Sequence, residues 1–519
     1  MNRTMQRGQA LILIALAFVG LAAFVGLAVD AGILFTSIGH LRRATDAAAL
    51  AAANQFREGR SVTQIEDSAT EFITLNSLNP ATANIFICDI FNTPPDPAIH
   101  DPTLCPAPGD FNRKFVRVEA SMPVNFAFLP LVGWRSLTIS ANSVSEAASI
   151  DLVLVVDTSS SMAFDLCTDG KDQDDDDGDG IEGSAGDAVD DCPGFPGHPQ
   201  VGPTSDADVA LCILNRTQRE AGTCSRADGC PPQDDCHPFE EVRAAAVGLI
   251  ARTYFPYDRM SIIEFSDTGR VAISLATGTN ATSVASALGT LDVRPDPGPP
   301  QCDFGGSGNP AGCTSTNTAD GLTLAGNQFG LSTREEAVWI VILLSDGSAN
   351  AARTTVAPFT WVCPGGPADN PTWVQPFCRD PLFNASGTGT YGFDPEDAAR
   401  AGALFVGCPD GTTGPLTPGC SLPGQAAVIF TIGLGNLMTV NTSCDTGVYG
   451  VGGCQEDQGE RLLRWIAGVG DDADPSTNPD CASAPTGTDC GNYYFSPTGT
   501  GLMRVFEAIA SRIFTRITH

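Results

Sequence analysis

The chain has 519 residues, 42% of them hydrophobic, and its 28 Lys and Arg against 60 Asp and Glu give a formal net charge of −32. Such an acidic chain lacks the positive charge that neutralises phosphates, which argues against binding to nucleic acid or to anionic lipid headgroups. Divalent cations are the natural counter-ions instead. The length predicts two to four domains, and 55 Gly with 37 Pro predict long irregular loops.

The first predicted element is a membrane-spanning helix from Ala10 to Val29. These twenty residues are apolar or small and uncharged, and a helix of that length crosses a hydrocarbon core of about 30 Å. A secretory signal has a shorter apolar stretch, of about 7 to 15 residues, and a small-residue cleavage site. A prepilin-type site after Gly8 would lack its glutamate, because Leu13 stands in that place. We therefore expect residues 1–30 to form an uncleaved single-pass anchor.

Cysteine placement predicts the orientation of this anchor. Arg3 and Arg7 before the apolar stretch compete with Arg42 and Arg43 after it, so the charge rule does not decide. All 18 cysteines follow the stretch, from Cys88 onward, and a dense, even set of cysteines is typical of an oxidising compartment. We expect the helix to cross a cytoplasmic or inner membrane, with the N-terminus on the cytoplasmic side. The body would then lie outside, in the periplasm or at the cell surface.

Residues 31–148 predict a small α+β stalk. The alanine-rich stretch ATDAAALAAANQF continues the first helix towards Arg60, because alanine has the highest helix propensity. A cysteine-bearing loop with Cys88 and Cys105 separates the helices from the strands. The further predicted elements are a helix over Val62–Asn76 and strands over Arg113–Met122 and Ser136–Val144.

The amino-terminal region resembles a known family. The stretches RGQALILIALAFVGLAAFVGLAVDAG and LRRATDAAALAAA, within residues 7–55, are similar to the start of Tad-type (Flp) pilus-assembly proteins of the TadG kind. The resemblance implies a role linked to pilus assembly. The alternative is a general alanine-rich anchor with a helical extension, because apolar helices of this composition recur widely.

Residues 149–519 predict a doubly wound α/β domain. The run SIDLVLVVD, from Ser149 to Asp157, is continuously apolar, as in a parallel strand that is buried on both faces. Strands and helices then alternate, which favours a mostly parallel sheet with helices on both faces. The predicted strands are Met260–Phe265, Val271–Leu275, a run ending at Asp346, a run ending at Gly435 and one around Tyr494, and the predicted helices are Phe239–Tyr254, Thr282–Leu291, Thr318–Phe329, Glu460–Ala467 and Gly501–Ile517.

Polar residues at the carboxyl end of the first of these strands resemble a known metal site. The D-x-S-x-S motif at 157–161, the threonine of STNTADGL and the aspartate of LLSDG occur in the order of the von Willebrand factor A (VWA) family and its metal-ion-dependent adhesion site. The resemblance implies five ligands, some acting through water: Asp157, Ser159, Ser161, Thr316 and Asp346. Thr318 is the alternative threonine, and the alternative role for the serines is to cap a helix.

This donor set predicts both the cation and the kind of partner. Carboxylate and hydroxyl oxygens are hard donors that suit Mg²⁺, or less selectively Ca²⁺ or Mn²⁺. An open coordination position would accept a carboxylate from a protein ligand, possibly a pilus-assembly or surface protein, so we expect cation-dependent binding or adhesion. Two alternatives stay open: an envelope scaffold in which the metals and disulfides are structural, and an extracytoplasmic enzyme. The sequence has no HExxH, G-x-S-x-G or P-loop motif, so we expect no enzyme.

Four stretches exceed what a domain of this family needs, and we expect them to be insertions that surround the metal site: 163–238, 297–313, 351–422 and 440–490. They hold 6, 2, 4 and 4 cysteines, and these even numbers favour disulfides within each insertion. Zinc is the rival explanation, but C-x-x-C pairs are absent. The candidate pairs, with one more in the stalk, are Cys88–Cys105, Cys167–Cys192, Cys302–Cys313, Cys363–Cys378, Cys408–Cys420, Cys444–Cys454 and Cys481–Cys490; the pairing of Cys212, Cys224, Cys230 and Cys236 stays open.

The first insertion contains a second cation motif. Asp175, Asp177, Asp179 and Ile181 form D-x-D-x-D-G-I, which has the carboxylate spacing of a calcium loop. Gly186 replaces the usual twelfth-position glutamate, and Asp187 is the substitute ligand. Residues 165–191 hold twelve acids and one lysine, a net charge of −11 out of −32. We expect Ca²⁺ here; a solvated acidic loop is the alternative.

Overall fold

The computed structural model describes residues 6–57, 60–76, 82–90, 92–107, 109–159, 162, 238–266, 268–293, 316–331, 334, 336–347, 349, 395–409, 411, 420, 422–435, 458–472, 481, 484–497 and 499–516. The chain divides into two compact units, Met1–Ser149 and Ile150–His519. The first covers the residues expected to form an anchor and stalk, and the second covers those of the expected α/β domain.

The described part of the first unit contains two α-helices and a three-stranded sheet. Its strands are antiparallel and lie in the order β1–β2–β3. The sequence did not predict β1, because TANIFI is short and lacks a clear apolar alternation. A disulfide joins Cys88 to Cys105 with an S–S distance of 1.99 Å. The elements are α1 (Gln6–Arg57), α2 (Val62–Leu75), β1 (Thr82–Ile87), β2 (Lys114–Asn125) and β3 (Ser136–Ala147).

Helix α1 changes character along its length. Its segment Leu13–Phe56 is, by length and composition, the one candidate for crossing a membrane in the part of the chain that the structure describes. Large apolar side chains before Asp30 are exposed, whereas the alanine-rich half is buried against β2, β3 and α2. Ala44, Ala48 and Ala52 have no exposed surface, and their small side chains let neighbouring elements approach closely. The two halves therefore suit different surroundings.

The second unit is built on a six-stranded sheet in the order β6–β5–β4–β7–β8–β9. Strands β4 and β5, β7 and β8, and β8 and β9 pair in parallel, and β6 is antiparallel to β5. Its strands are β4 (Ser149–Asp157), β5 (Arg259–Phe265), β6 (Gly269–Ile273), β7 (Ala337–Ser345), β8 (Val428–Leu434) and β9 (Tyr493–Ser496). Its helices are α3 (Phe239–Arg252), α4 (Ala281–Gly289), α5 (Thr318–Leu331), α6 (Pro395–Gly407), α7 (Gln458–Asp472) and α8 (Gly499–Arg516).

Side chains of strand β4 alternate between two hydrophobic cores. Leu152 and Leu154 belong to the core formed with α3, α4 and α8, whereas Val153 and Val155 belong to the core formed with α5, α6 and α7. A sheet covered on both faces buries its central strands completely. The second unit thus has the predicted doubly wound α/β fold, with a mostly parallel sheet and helices on both faces.

Two of the predicted insertions contain elements of the core. Helix α6 lies within 351–422 and buries Ala399, Ala403 and Val406 against the sheet. Helix α7 lies within 440–490 and buries Leu462 and Ile466 in the same core. The prediction that these stretches are insertions throughout is therefore wrong, because a Gly- and Pro-rich surrounding sequence concealed the pattern of α6. The stretches 163–237 and 297–313 lie outside the described residues.

A buried ion-pair network lies at the start of β4. Asp151 has no exposed surface, and its two carboxylate oxygens accept hydrogen bonds from Arg259 at 2.5 and 2.8 Å and from Arg334 at 2.8 Å. Arg334 also donates to the carbonyl oxygen of Tyr257 at 2.8 Å. This network connects β4, β5 and the segment before β7.

We predict that Asp151→Ala lowers the free energy of unfolding by about 3–5 kcal/mol, because it leaves two guanidinium groups buried without their carboxylate. Urea unfolding of the full chain in detergent measures the effect. Glu507→Gln is the matched control, because it breaks an exposed ion pair: the side chain of Glu507 is 50% exposed and that of its partner Arg252 is 41% exposed. We expect this control to change the free energy of unfolding by less than about 1 kcal/mol. Equal effects of the two substitutions would contradict the prediction.

Candidate metal centre

The order of strands in the second unit reverses between β4 and β7, and the carboxyl ends of the strands form one edge of the sheet there. The chain leaves β4 towards β5 and β6 on one side and returns through β7 to β8 and β9 on the other. Ligand sites in such sheets lie at the carboxyl ends of the strands where the direction of winding reverses. Asp157 ends β4, and Asp346 directly follows β7. Both residues have no exposed surface.

Hydrogen bonds hold the Asp157 carboxylate between the two strands. Its Oδ1 accepts from the backbone N–H of Ser159 at 2.9 Å, and its Oδ2 accepts from the hydroxyl of Ser345 at 2.6 Å. Ser345 therefore joins the ends of β4 and β7. The sequence prediction missed this residue, although its place beside Asp346 in LLSDG is the signal that could have identified it.

The segment before α5 brings the predicted threonine to the same edge. Thr316 is buried, and its Oγ1 lies 3.8 Å from the position that a Cβ on Gly347 would take. The backbone N–H of Asn317 donates to the carbonyl oxygen of Ser266, just after β5, at 2.7 Å. Asn317 Oδ1 also accepts from the N–H of Asp320 at 3.1 Å and caps the helix. Thr316 thus lies beside the segment that follows β7, and its neighbour Asn317 is bonded to the segment that follows β5.

Gly321 allows α5 to lie close to the sheet. A Cβ at this position would be 2.9 Å from Cγ1 of Val155 and 3.0 Å from Cδ1 of Phe265. A side chain would therefore push the first turn of α5 away from β4 and β5. Because this turn follows Thr316 directly, the glycine also helps to position the predicted ligand.

The structure brings four of the five predicted ligands to one edge of the sheet: Asp157, Ser159, Thr316 and Asp346. The alternative threonine, Thr318, is buried in the first turn of α5. The fifth ligand, Ser161, lies outside the described residues, as does the whole calcium motif with Asp175, Asp177, Asp179, Ile181 and Asp187.

Disulfides join Cys408 to Cys420 and Cys481 to Cys490, with S–S distances of 1.92 and 2.01 Å. These are two of the pairings expected within the insertions. The other candidate cysteines of the second unit lie outside the described residues: Cys167, Cys192, Cys302, Cys313, Cys363, Cys378, Cys444 and Cys454.

The two ends of β4 bury carboxylates in different electrostatic surroundings. Asp151 lies against two guanidinium groups, whereas Asp157 has no basic partner among the residues that the structure describes. Burial raises the pKa of Asp157 to about 6, and hydrogen bonds from Ser159 and Ser345 offset only part of this rise. The ionised carboxylate is thus destabilised here and would be stabilised by a cation.

The chemistry of the donors fits a hard divalent cation. The available atoms are two carboxylates and the hydroxyls of Ser159 and Thr316, all of which are oxygen ligands that suit Mg²⁺, Mn²⁺ or Ca²⁺. Within the described part of the chain, no group of three or more His, Cys, Asp or Glu residues could hold a metal ion. A metal at this edge therefore depends on hydroxyl, backbone or water oxygens in addition to the carboxylates.

Comparisons with known proteins found similar structures but no similar sequences: no family model and no curated protein matches the chain. One similar structure is the pilus adhesin SpaC from Lactobacillus rhamnosus GG, with 12% identity, a TM-score of 0.33 and coverage of 78% of this chain and 33% of SpaC. Another is the vWF domain of the type V pili tip protein Mfa5 from Porphyromonas gingivalis, with 13% identity, a TM-score of 0.32 and coverage of 71% and 96%.

A third similar structure is proximal thread matrix protein 1 from the mussel byssus, solved with a zinc-occupied MIDAS motif. It has 10% identity and a TM-score of 0.30, and the match covers 70% of this chain and 47% of that protein. The chain thus spans less than half the length of SpaC and of the byssus protein. Likenesses at these TM-scores and identities do not show a function for this chain. Its function is inferred below from its own residues.

The raised pKa of Asp157 predicts a pH dependence of stability. With divalent cations chelated, the folded state retains the proton of Asp157 up to about pH 6, whereas the unfolded chain loses it near the ordinary value of 3.8. This group therefore stabilises the folded state less as pH rises from about 4 to 6. We predict that Asp157→Asn at pH 7 raises the free energy of unfolding in EDTA by about 1–3 kcal/mol.

Urea unfolding in EDTA at pH 5 and pH 7 measures this effect as the difference in the free energy of unfolding between the variant and the unsubstituted chain. Asp292→Asn, which changes an exposed carboxylate of the same unit, is the control and should show no such difference. A metal-free Asp157→Asn variant that is less stable than the unsubstituted chain at pH 7 would contradict the prediction.

Proposed function

We propose that the chain is a membrane-anchored binding protein of the VWA type, which binds a protein ligand through a divalent cation. The observation that carries the proposal is the buried Asp157 carboxylate, which lies among oxygen donors and lacks a basic partner within the described residues. The proposed ligands of the cation are Asp157, Ser159, Ser161, Thr316 and Asp346.

The cation would supply a Lewis-acidic position that accepts a carboxylate oxygen from the partner. Residues of the chain would orient the ligands of this cation. Ser345 and the backbone N–H of Ser159 fix the orientation of Asp157. The close packing of Gly321 fixes the start of α5, which follows Thr316. Two carboxylates balance the formal charge of Mg²⁺, but neutral hydroxyl and water ligands leave the cation electrophilic enough to coordinate a carboxylate oxygen from the partner at an open position.

The proposed location follows from α1 and the disulfides. Helix α1 would cross a cytoplasmic or inner membrane with its N-terminus inside, and the disulfides would form in the extracytoplasmic compartment. The resemblance of residues 7–55 to the TadG kind supports a role beside Tad-type pili, with pilus-assembly or surface proteins as partners. The body would be periplasmic or exposed at the cell surface.

A structural role for the cation is the second candidate. The observation that favours it is the complete burial of both carboxylates, since a cation that only neutralises them would stabilise the fold without meeting a partner. An extracytoplasmic enzyme is the third and weakest candidate, and we propose that the chain has no catalytic residues. Cation-dependent partner binding without turnover by a broad hydrolase panel would favour the binding protein.

We predict that the full chain in detergent binds one Mg²⁺ or Mn²⁺ at the candidate metal centre, and that Asp157→Ala and Asp346→Ala each reduce its affinity at least tenfold. Each substitution removes one of the two carboxylates that balance the cation's charge. Calorimetric titration of the purified chain with each metal measures the affinity, and Asp292→Ala should leave it unchanged. Equal affinity in the Asp157→Ala variant would disprove the proposed ligand set.

Cell attachment separates the binding role from the structural role. We predict that cells carrying Asp157→Ala lose Mg²⁺-dependent surface attachment, while their pili and the amount of the protein stay normal. Loss of pili would instead indicate a role in assembly. Unchanged attachment, with the protein present at its usual level, would exclude adhesion through this site.

The Asp-rich motif of the first insertion is proposed as a separate Ca²⁺ site. We predict that replacing Asp175, Asp177 and Asp179 together by Asn lowers the bound Ca²⁺ by one per chain, because carboxylates at alternate positions are the main ligands of such loops. Equilibrium dialysis against Ca²⁺ measures the stoichiometry. Excess Mg²⁺ in the dialysis buffer keeps Ca²⁺ out of the candidate metal centre, so Asp157→Ala, the reciprocal control, should leave the Ca²⁺ count unchanged. An unchanged Ca²⁺ count in the triple variant would support a solvated acidic loop.

A further inference from the structure

The loop between β2 and β3, residues 126–135, exposes large apolar side chains. Leu131 is 85% exposed, Val132 is 77% exposed and Trp134 is 71% exposed. Large apolar side chains gathered on one short surface loop usually mark a contact with a membrane or with another molecule. We refer to this segment as the 126–135 loop.

A single side chain of α1 fixes the position of this loop. Asp30, which is itself buried, accepts hydrogen bonds from the backbone N–H groups of Ala127 at 2.6 Å, Phe128 at 3.0 Å and Leu129 at 2.7 Å. One turn earlier in α1, the ring of Phe128 covers Gly26, where a Cβ would lie only 2.9 Å from the ring. The start of the loop is therefore packed on α1 between Gly26 and Asp30.

These contacts place the loop beside the end of the apolar stretch. The uncharged stretch runs from Ala10 to Val29, so Asp30 is the first charged residue after it. An α-helix rises 1.5 Å per residue, which puts Gly26 about 6 Å before Asp30 along the axis. Phe128 thus contacts α1 inside the stretch that would lie in the hydrocarbon core.

The backbone of the loop is suited to an apolar environment. Besides the three N–H groups bound by Asp30, those of Leu131, Gly133 and Trp134 donate to carbonyl oxygens of Phe128, Pro130 and Leu129 at 3.0–3.1 Å. Pro130 has no N–H, and Gly133 adopts the left-handed conformation (φ +99°) that closes the turn. Backbone groups satisfied within the protein lower the free-energy cost of entering the interface of a bilayer.

We propose that the 126–135 loop inserts Leu131, Val132 and Trp134 into the outer interfacial layer of the membrane that α1 crosses. The proposal rests on the proposed anchor, and it assigns the stalk a second contact with lipid. Tryptophan prefers this layer because its ring is apolar and its indole N–H can hydrogen-bond, and the exposed Arg135 next to it can reach headgroup phosphates. The contact is mainly apolar, so zwitterionic lipid suffices despite the net charge of −32.

Quenching of tryptophan fluorescence by brominated lipid tests the proposal. The full chain is reconstituted in phosphatidylcholine vesicles with bromine at carbons 6 and 7 or at carbons 11 and 12 of the acyl chain. We expect quenching to be stronger with the shallow bromines and to be lost in Trp134→Phe. The matched control is Trp465→Phe, which removes a partly buried tryptophan of the second unit and should retain the quenching.

A second variant tests the neighbouring side chains. Leu131→Asp with Val132→Asp should reduce the shallow quenching of Trp134 at least twofold, because charged side chains draw the loop out of the interface. The anchor is tested separately by flotation of the vesicles after a carbonate wash. Chains that float but whose Trp134 is not quenched would overturn the membrane contact and leave the anchor intact. Chains that do not float would overturn both.

Discussion

Strand β4 buries one carboxylate at each end, and the two carboxylates are compensated in different ways. A buried charge costs several kcal/mol unless other groups stabilise it. At Asp151 two guanidinium groups provide that stabilisation, and the result joins three segments of the sheet. At Asp157, within the part of the chain that the structure describes, hydroxyl and amide groups alone do so. The charge of Asp151 is therefore compensated within the fold. The charge of Asp157 is compensated only in part, and a bound cation would stabilise it.

The topology of the sheet determines which residues surround Asp157. Because the chain returns to the opposite side of β4 after β6, β7 becomes the neighbour of β4 and brings Ser345 to Asp157 across 188 residues of sequence. The close packing of Gly321 holds the start of α5 against the same strand ends. The donors of the candidate metal centre are thus assembled by the same packing that forms the core.

Much of this arrangement could be predicted from local patterns. The continuous apolar run of β4 and the polar residues that follow it predicted both the buried strand and the edge where Asp157, Thr316 and Asp346 lie. Strand β1 and helix α6 were missed because a short element without a clear period, or one within a Gly- and Pro-rich stretch, gives a weak signal. The role of Ser345 depends on a pairing of distant strands, which no local pattern contains. The ligand set itself remains a prediction.

The contact between Asp30 and the 126–135 loop also constrains how α1 can move. Three backbone N–H groups converge on one carboxylate, and the ring of Phe128 covers Gly26 on the same helix. Sliding the helix along its axis, or turning it about that axis, would break these bonds in an environment with few alternative partners. A shift of α1 along or about its axis would therefore have to move the start of the 126–135 loop with it or break these contacts. The contacts at Gly26 and Asp30 thus tie the register of α1 to the 126–135 loop.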